Sequence, residues 1–258
     1  MLGKRRKLTK QKEFRAMRLW FLVFLVFLPG CPPAPEEPDP DQFSLKMIPM
    51  DGFMIDSVEV SRARYLYFLS DEPPQADDAD CSWNTDRKPK CEWLETENIN
   101  LPANCLNWCD ARDYCLWAGK RLCEGDWRHR DQDEWQRACS SNGIHAYPYG
   151  DDYESMACNG LDFGKRRPTN VALLPTCRVG SLDLFDMSGN LIEWTGVCEG
   201  THGEDTSCRL RGGSYANPAD VLRCDYDFGA DDPRSMANEL IGFRCCKDLE
   251  TATDGDQP

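Results

Sequence analysis

Fifteen cysteines in a chain of 258 residues constrain the fold more than any other feature of this sequence. A reducing cytosol keeps thiols unpaired, so this number indicates either metal ligands or export to an oxidising compartment. No C-x-x-C pair occurs, and His129, His145 and His202 lack the close spacing of zinc ligands. The cysteines therefore predict a domain stabilised by disulfides.

Residues 1–30 have the composition of an export signal. Eight lysines and arginines precede a run of ten apolar residues, 19–28, which is too short to span a bilayer. The following segment, 28–31 (LPGC), resembles the bacterial lipobox, in which the cysteine thiol is acylated and becomes the new N-terminus. We therefore expect a lipoprotein signal peptide and a lipid on Cys31. The alternative is an ordinary signal peptide followed by an unrelated cysteine.

Beyond Cys31 an even number of cysteines remains, fourteen, which allows up to seven disulfides. Sequence spacing leaves their pairing open. Cys245 and Cys246 are adjacent, and such neighbours usually join separate disulfides.

The charge of the exported chain excludes two classes of partner. Residues 1–30 hold eight of the 30 basic and one of the 44 acidic residues, so their removal takes the net charge from −14 to −21. Such a surface repels nucleic acid and anionic lipid. Membrane attachment is therefore expected through the lipid on Cys31. An Asp at the position after the anchor cysteine would resemble an inner-membrane retention signal. This chain has Pro32 at that position, which favours the outer membrane.

The composition divides the chain into four parts. After the signal peptide, residues 31–42 form a tether rich in proline and acids, and residues 248–258 form an acidic disordered tail. Residues 43–247 lie between them as one domain. Helical spacing and acids in a first turn predict helices over 107–118 and 133–139. Short strands are expected over 54–60, 191–195 and 241–245, and the rest is rich in turn residues, which predicts an irregular, loop-rich α+β fold.

Six segments, in order across residues 43–246, resemble the sulfatase-modifying-factor family, also called formylglycine-generating-enzyme-like domains. The strongest is LFDMSGNLIEW, residues 184–194. The resemblance implies a variant of the C-type lectin fold, which is poor in regular structure. One departure is the link 123–133, which is longer than usual. The segments are Phe53–Tyr65, Cys109–Leu122, Glu134–Ala138, Tyr147–Asn159, Val179–Trp194, and Arg211–Tyr215 with Gly242–Arg244.

Core packing is the expected role of four aromatic residues in these segments: Trp135, Trp194, Tyr215 and Phe243. The glycine pair Gly212-Gly213 and the turn Gly189-Asn190 are expected where positive φ or a close backbone approach is needed.

The resemblance implies two metal sites. The family binds calcium through the 184–194 segment, with side-chain ligands that correspond to Asp186 and Glu193 and carbonyl ligands that correspond to Gly189 and Leu191. Oxygen ligands of this kind suit calcium. Asn159 and Gly160 resemble part of a second, weaker calcium site whose acidic loop is shortened here.

Catalysis in the family oxidises a substrate cysteine to formylglycine with O₂ and Cu(I) held by two cysteines. Soft thiolates suit Cu(I), but the corresponding positions here are Asn217 and Leu222. Copper is therefore not expected as a cofactor. Cys224, Cys245 and Cys246 are the weak candidates for relocated thiols.

Three functions follow from these observations. The first is a non-catalytic lipoprotein that acts as an envelope recognition module for a protein or a glycan, with calcium and without nucleic acid. The second is a formylglycine-generating oxidase with relocated thiols. The third is a structural envelope protein.

Overall fold

Two small sheets and three short α-helices form the regular structure of the part of the chain that the computed structural model describes. That part comprises residues 46–74, 79–93, 98–200, 203–229 and 232–249. The predicted signal peptide, Cys31, the tether and residues 250–258 of the predicted tail lie outside it. All described residues belong to one compact unit.

The first sheet has four antiparallel strands in the order β1-β2-β8-β3. They are β1 (Met47–Pro49), β2 (Phe53–Asp56), β3 (Arg121–Leu122) and β8 (Cys245–Asp248). The sheet therefore joins the beginning of the described chain to its end. Strand β8 extends to Asp248, one residue into the predicted tail.

The second sheet has the order β6-β5-β4-β7, with β4 and β7 parallel and the other pairs antiparallel. Its strands are β4 (Ile192–Glu199), β5 (Ser207–Arg211), β6 (Asp232–Pro233) and β7 (Ile241–Phe243). The register of β4 against β5 shifts between Trp194 and Cys198. The parallel β4–β7 pair brings the 184–194 segment beside the C-terminal segment of the domain.

Each helix begins at a side chain that caps a free backbone N–H. Helix α1 (Arg62–Ser70) is capped by Ser61, α2 (Trp108–Trp117) by Asn107, and α3 (Glu134–Cys139) by Asp133. In α2 the Asp110 side chain also accepts from the Asn107 N–H, which completes a capping box. Two 3₁₀ helices span Trp127–His129 and Leu161–Phe163. No helix among the described residues is long and apolar enough to cross a membrane.

The helices predicted over 107–118 and 133–139 are confirmed within one or two residues. All three predicted strands have other limits. The strand predicted over 191–195 extends over Ile192–Glu199, and the one predicted over 54–60 ends at Asp56. The one predicted over 241–245 is interrupted at Arg244, whose side chain bonds with the buried carboxylate of Glu193. Three of the four aromatic residues expected in the core are buried there, but Tyr215 is only half-buried.

Every cysteine in the described part of the chain belongs to a disulfide, which makes seven. Adjacent Cys245 and Cys246 join separate disulfides, as expected. Their partners, Cys115 and Cys123, tie α2 and the end of β3 to β8 across 130 and 123 residues. The pairs are Cys81–Cys109, Cys91–Cys105, Cys115–Cys245, Cys123–Cys246, Cys139–Cys224, Cys158–Cys177 and Cys198–Cys208.

Candidate functional site

Asn217, the first position that corresponds to a copper ligand, closes a turn. Its side-chain oxygen accepts hydrogen bonds from the Ser214 N–H and from the Ser214 hydroxyl, both 2.8 Å long. Its backbone N–H donates to the Ser214 carbonyl at 3.0 Å. The turn follows Gly212 and Gly213, which have the expected positive φ of 93° and 67°. Asn217 therefore stabilises the loop and offers no soft ligand.

Leu222, at the second position, is packed into the interior and is 2% exposed. A Cβ added to Gly160 would lie 2.3 Å from Leu222 Cδ1, and one added to Gly213 would lie 2.9 Å from Leu222 Cδ2. The isobutyl group thus fills the space between these two glycines. The two residues present do not fit a Cu(I) ion, which needs thiolate sulfurs.

The three sulfurs considered as replacements are all oxidised. Cys224 is bonded to Cys139, and Cys245 and Cys246 are bonded to Cys115 and Cys123. All three are fully buried. A disulfide sulfur has no thiolate to offer a metal or a substrate.

Asp186 begins the predicted calcium loop and is buried with a positive φ of 56°. Its Oδ2 accepts from the Ala172 N–H at 2.7 Å, whereas its Oδ1 has no hydrogen-bond partner among the described residues. Burial raises the pKa of Asp186 to about 7, and the hydrogen bond from Ala172 and the charge of Arg244 oppose the rise. An unpartnered, buried carboxylate oxygen fits one ligand of a calcium ion.

Glu193 has both oxygens engaged by the protein itself. Arg244 donates from Nε to both oxygens, at 2.9 and 2.8 Å, and from Nη2 to Oε1 at 2.7 Å. The indole of Trp135 donates to Oε2 at 2.8 Å. The predicted ligand set thus fits calcium at Asp186, but not at Glu193 in this arrangement. No group of three or more His, Cys, Asp or Glu is arranged as a metal site among the described residues.

The turn that carries the two predicted carbonyl ligands, Gly189 and Leu191, has the expected shape. Gly189 and Asn190 have φ of 77° and 60°. A Cβ on Gly189 would lie 2.6 Å from the Asn159 carbonyl oxygen, so only glycine fits. Calcium at this loop stays a prediction.

Glu59 is a member of this buried network that the sequence reasoning did not assign to the site. Its Oε1 accepts from the Leu191 N–H at 2.9 Å, and its Oε2 accepts from the Asn190 amide at 2.6 Å. Burial raises its pKa, and the charges of Asp186 and Glu193 raise it further. Glu59 lies in the 53–65 segment that resembles the family, but only the fold places its carboxylate under the 189–191 turn.

Asn159 and Gly160, the weaker metal candidates, lie against the same loop. The Asn159 amide donates to the Arg167 carbonyl at 3.0 Å and to the Asn190 side-chain oxygen at 3.1 Å. The Asn159 side-chain oxygen is buried and accepts no hydrogen bond from the part of the chain that the structure describes. A second cation here also stays a prediction.

Among the cavities lined by described residues that are large enough for small ligands, two border the segments discussed above. One of about 710 Å³ lies between α3 and residues 223–225, and the Cys139–Cys224 disulfide joins these two walls. The other, of about 620 Å³, lies between the start of α1 and the loop 165–170. Both are therefore bordered by segments that the fold holds in place.

Comparison with known proteins identifies the family. The Sulfatase-modifying factor enzyme 1-like domain matches residues 25–249. Serine/threonine-protein kinase Pkn1 of Chlamydia trachomatis serovar L2 is 25% identical over 238 residues, which cover 81% of this chain and 35% of that protein. "Inactive C-alpha-formylglycine-generating enzyme 2" of Mus musculus is 28% identical over 182 residues, which cover 61% of this chain and 55% of that protein.

The solved structure of CarF has the same fold, with a TM-score of 0.57 and 20% identity, over 77% of this chain and 87% of that one. The curated relatives are longer proteins, of which this chain spans about a third to about half. The chain belongs to the sulfatase-modifying-factor family of formylglycine-generating-enzyme-like domains.

Proposed function

We propose that this chain is a non-catalytic member of its family that acts as a binding or recognition module at the bacterial cell envelope, anchored through a lipid on Cys31. One observation carries the proposal: both positions of the family's copper ligands are used for packing. Asn217 is bound to Ser214, and Leu222 fills the space beside Gly160 and Gly213.

Two further points support this proposal. The sulfurs nearest in sequence that could replace the ligands are in buried disulfides, which leaves the described part of the chain without a free thiol. The name of the mouse relative describes that protein as inactive. Both favour retention of the scaffold without the oxidation.

The scaffold suits recognition because its loops are held in place before any partner arrives. Cys139–Cys224 and Cys158–Cys177 join loops that border the cavities or the predicted calcium turn. A preorganised surface loses less conformational entropy on binding than a mobile one. The partner class is a protein or a glycan of the envelope.

An oxidation assay tests the absence of catalysis. The purified chain is incubated with a C-x-P-x-R peptide, Cu(I) and O₂, beside an active formylglycine-generating enzyme. We expect no change in the peptide mass and no copper retained after desalting. Conversion of the peptide cysteine to formylglycine would overturn the proposal.

A separate experiment tests the anchor. The full chain and the variant Cys31→Ser are expressed in a bacterium with two membranes, and the fractions are analysed by mass spectrometry. We expect an acylated protein in the outer-membrane fraction and a soluble or unprocessed Cys31→Ser protein. Equal distribution of the two proteins would reject the lipid anchor.

A further inference from the structure

A run of three basic residues, Lys165-Arg166-Arg167, stands out on an acidic protein. After Cys31 it is the one place where three basic residues are consecutive. All three are exposed, and none forms an ion pair or a side-chain hydrogen bond with the described part of the chain. Three adjacent charges that form no ion pair with a described residue repel one another, so a bound anion would lower their energy.

The loop that carries this basic run is fixed at both sides. On one side the Leu161 N–H donates to the Asn217 carbonyl at 2.9 Å. On the other, the Arg167 carbonyl accepts from the Asn159 amide at 3.0 Å, and the Thr169 N–H donates to the Asn190 side chain at 2.8 Å. The loop of the basic run is therefore hydrogen-bonded both to Asn217, a position that corresponds to a copper ligand, and to Asn190 in the predicted calcium turn.

The basic run borders the cavity of about 620 Å³. Lys165, Arg167 and Arg62 contribute three cations to its lining, and Glu92 and Glu239 contribute two carboxylates. The cavity is thus of mixed charge, with the free cations of the run on one wall.

Side-chain contacts hold Arg62 at the floor of the cavity. The Arg62 guanidinium lies 4.9 Å from the centroid of the Trp93 ring and donates to the Asn104 side-chain oxygen at 3.1 Å. The same oxygen accepts from the Trp93 indole at 3.0 Å. On the wall of the basic run, the amide of half-buried Asn170 forms no side-chain hydrogen bond with the described residues.

We infer that this cavity and the basic run bind an acidic saccharide, a sugar chain that carries carboxylate or sulfate groups. The inference rests on the proposed recognition function and names the chemistry of its ligand. The cations of the run pair with the anionic groups. The Asn170 amide and the carboxylates of Glu92 and Glu239 bond with the hydroxyl groups.

Two other anionic partners fit the cavity less well. An acidic peptide supplies carboxylates but few hydroxyl groups, so Glu92 and Glu239 would repel it without compensation. A bilayer of anionic lipid is flat on this scale, and its headgroups would reach the exposed run but not the recessed floor beside Arg62. A ligand with both anionic and hydroxyl groups satisfies both kinds of side chain.

The acidic net charge of the chain disfavours non-specific binding of polyanions. At −14, or −21 without residues 1–30, the protein as a whole repels polyanions. Screening limits that repulsion to roughly 10 Å at 0.1 M salt, so a local basic cluster still acts on a ligand in contact with it. Binding of a polyanion would therefore report this cluster and not the general field.

The test uses the full chain in a neutral detergent, with biolayer interferometry at 50 and 300 mM NaCl. The probes are polygalacturonate for carboxylate, heparin for sulfate and dextran as the neutral sugar. Poly-glutamate and vesicles with anionic phosphatidylglycerol represent the other two partner classes. The triple variant Lys165→Gln, Arg166→Gln, Arg167→Gln removes the run. A control with Lys88→Gln, Arg130→Gln and Lys247→Gln removes the same charge from other exposed positions.

We expect binding to at least one acidic saccharide, none to dextran, and a loss of affinity of roughly tenfold or more in the run variant alone. The carboxylate and sulfate arms then distinguish the two sources of anion. Three results would overturn the inference: no binding of either acidic saccharide, equal losses in both variants, or stronger binding of poly-glutamate or vesicles. None of these results depends on the oxidation assay. The proposed absence of catalysis and the inferred saccharide ligand can therefore be rejected independently of each other.

Discussion

Arg244 and Glu193 form a fully buried ion pair in which the guanidinium donates three hydrogen bonds to the carboxylate, between 2.7 and 2.9 Å long. The pair links β4 to the residue between β7 and β8. Nη1 of Arg244 donates to the Asp56 carbonyl, and Nη2 also donates to the carbonyls of Phe185 and Asp186. One arginine thus connects both sheets with the predicted calcium loop.

Loss of this arginine should destabilise the protein strongly. Arg244→Met leaves Glu193 buried without its counter-ion, and we expect a decrease of about 3–5 kcal/mol in the free energy of unfolding. Chemical denaturation measures it. The double variant Glu193→Gln, Arg244→Met should lose less than Arg244→Met, because no uncompensated charge remains. A double variant at least as unstable as the single one would contradict this explanation.

Stability should depend on pH through Asp110 of the α2 capping box. Burial raises the pKa of Asp110 to about 6, although hydrogen bonds from Asn84 and Asn107 oppose the rise. The folded state therefore retains a proton that the unfolded state loses near pH 4. This contribution to stability should fall by about 3 kcal/mol as pH rises from 4 to 6, and then stay level.

The variant Asp110→Asn checks this pH dependence. Its free energy of unfolding should be lower by a constant amount at every pH, because a hydrogen bond of the cap is lost. The part of the pH dependence that Asp110 causes should be absent. Asp220→Asn, at an exposed position, serves as the control and should keep the wild-type slope. An unchanged slope in Asp110→Asn would assign the pH dependence to other buried acids.

The disulfides should contribute unequally to stability. Cys139–Cys224 spans 85 residues and Cys198–Cys208 spans 10. Because Cys123–Cys246 already joins the flanking segments, Cys139–Cys224 closes a loop of roughly 40 residues when the other disulfides are intact. In the chain-entropy description the two losses are about 4 and about 3 kcal/mol. We expect the alanine pair at 139 and 224 to lower the denaturation midpoint more than the pair at 198 and 208. The reverse order would show that local packing outweighs loop closure here.

Calcium binding should depend on the free oxygen of Asp186. If the ion binds at this loop, millimolar calcium raises the melting temperature of the wild-type chain, because a ligand stabilises the state that binds it. Asp186→Ala should abolish that rise, and Asp162→Ala, at an exposed position, should leave it intact. A rise that survives Asp186→Ala would place the ion elsewhere, and no rise in the wild type would reject calcium at this loop.

Local signals predicted much of the fold correctly. The apolar spacing over 107–118 and the acids in the first turn of 133–139 predicted two helices, because both signals act within a few residues. Gly189-Asn190 and Gly212-Gly213 marked backbone with positive φ for the same local reason. The even number of cysteines after Cys31 predicted disulfides, since that is a property of composition and compartment.

The limits of the strands were less predictable. The pattern that predicted a strand over 54–60 continues beyond Asp56, but the pairing of β2 with β8 ends at Ile55. The strand predicted over 241–245 is interrupted at Arg244 by its buried ion pair with Glu193. Tyr215 has the composition of a core residue, yet the turn closed by Asn217 leaves it half-exposed. For the two strands a contact from a distant segment outweighed the local preference, whereas for Tyr215 the local turn did so.

By itself, the sequence determined the family of this protein, two of its helices, its oxidised cysteines and the absence of thiols at positions 217 and 222. Only the tertiary structure decided which cysteines pair, that Glu193 is bound by Arg244, and that Glu59 lies under the turn at Leu191. These partners are separated by 51 and 132 residues. Spacing along a chain carries information over a few residues, whereas burial brings distant charges together, and their pairing depends on the packing of the whole domain.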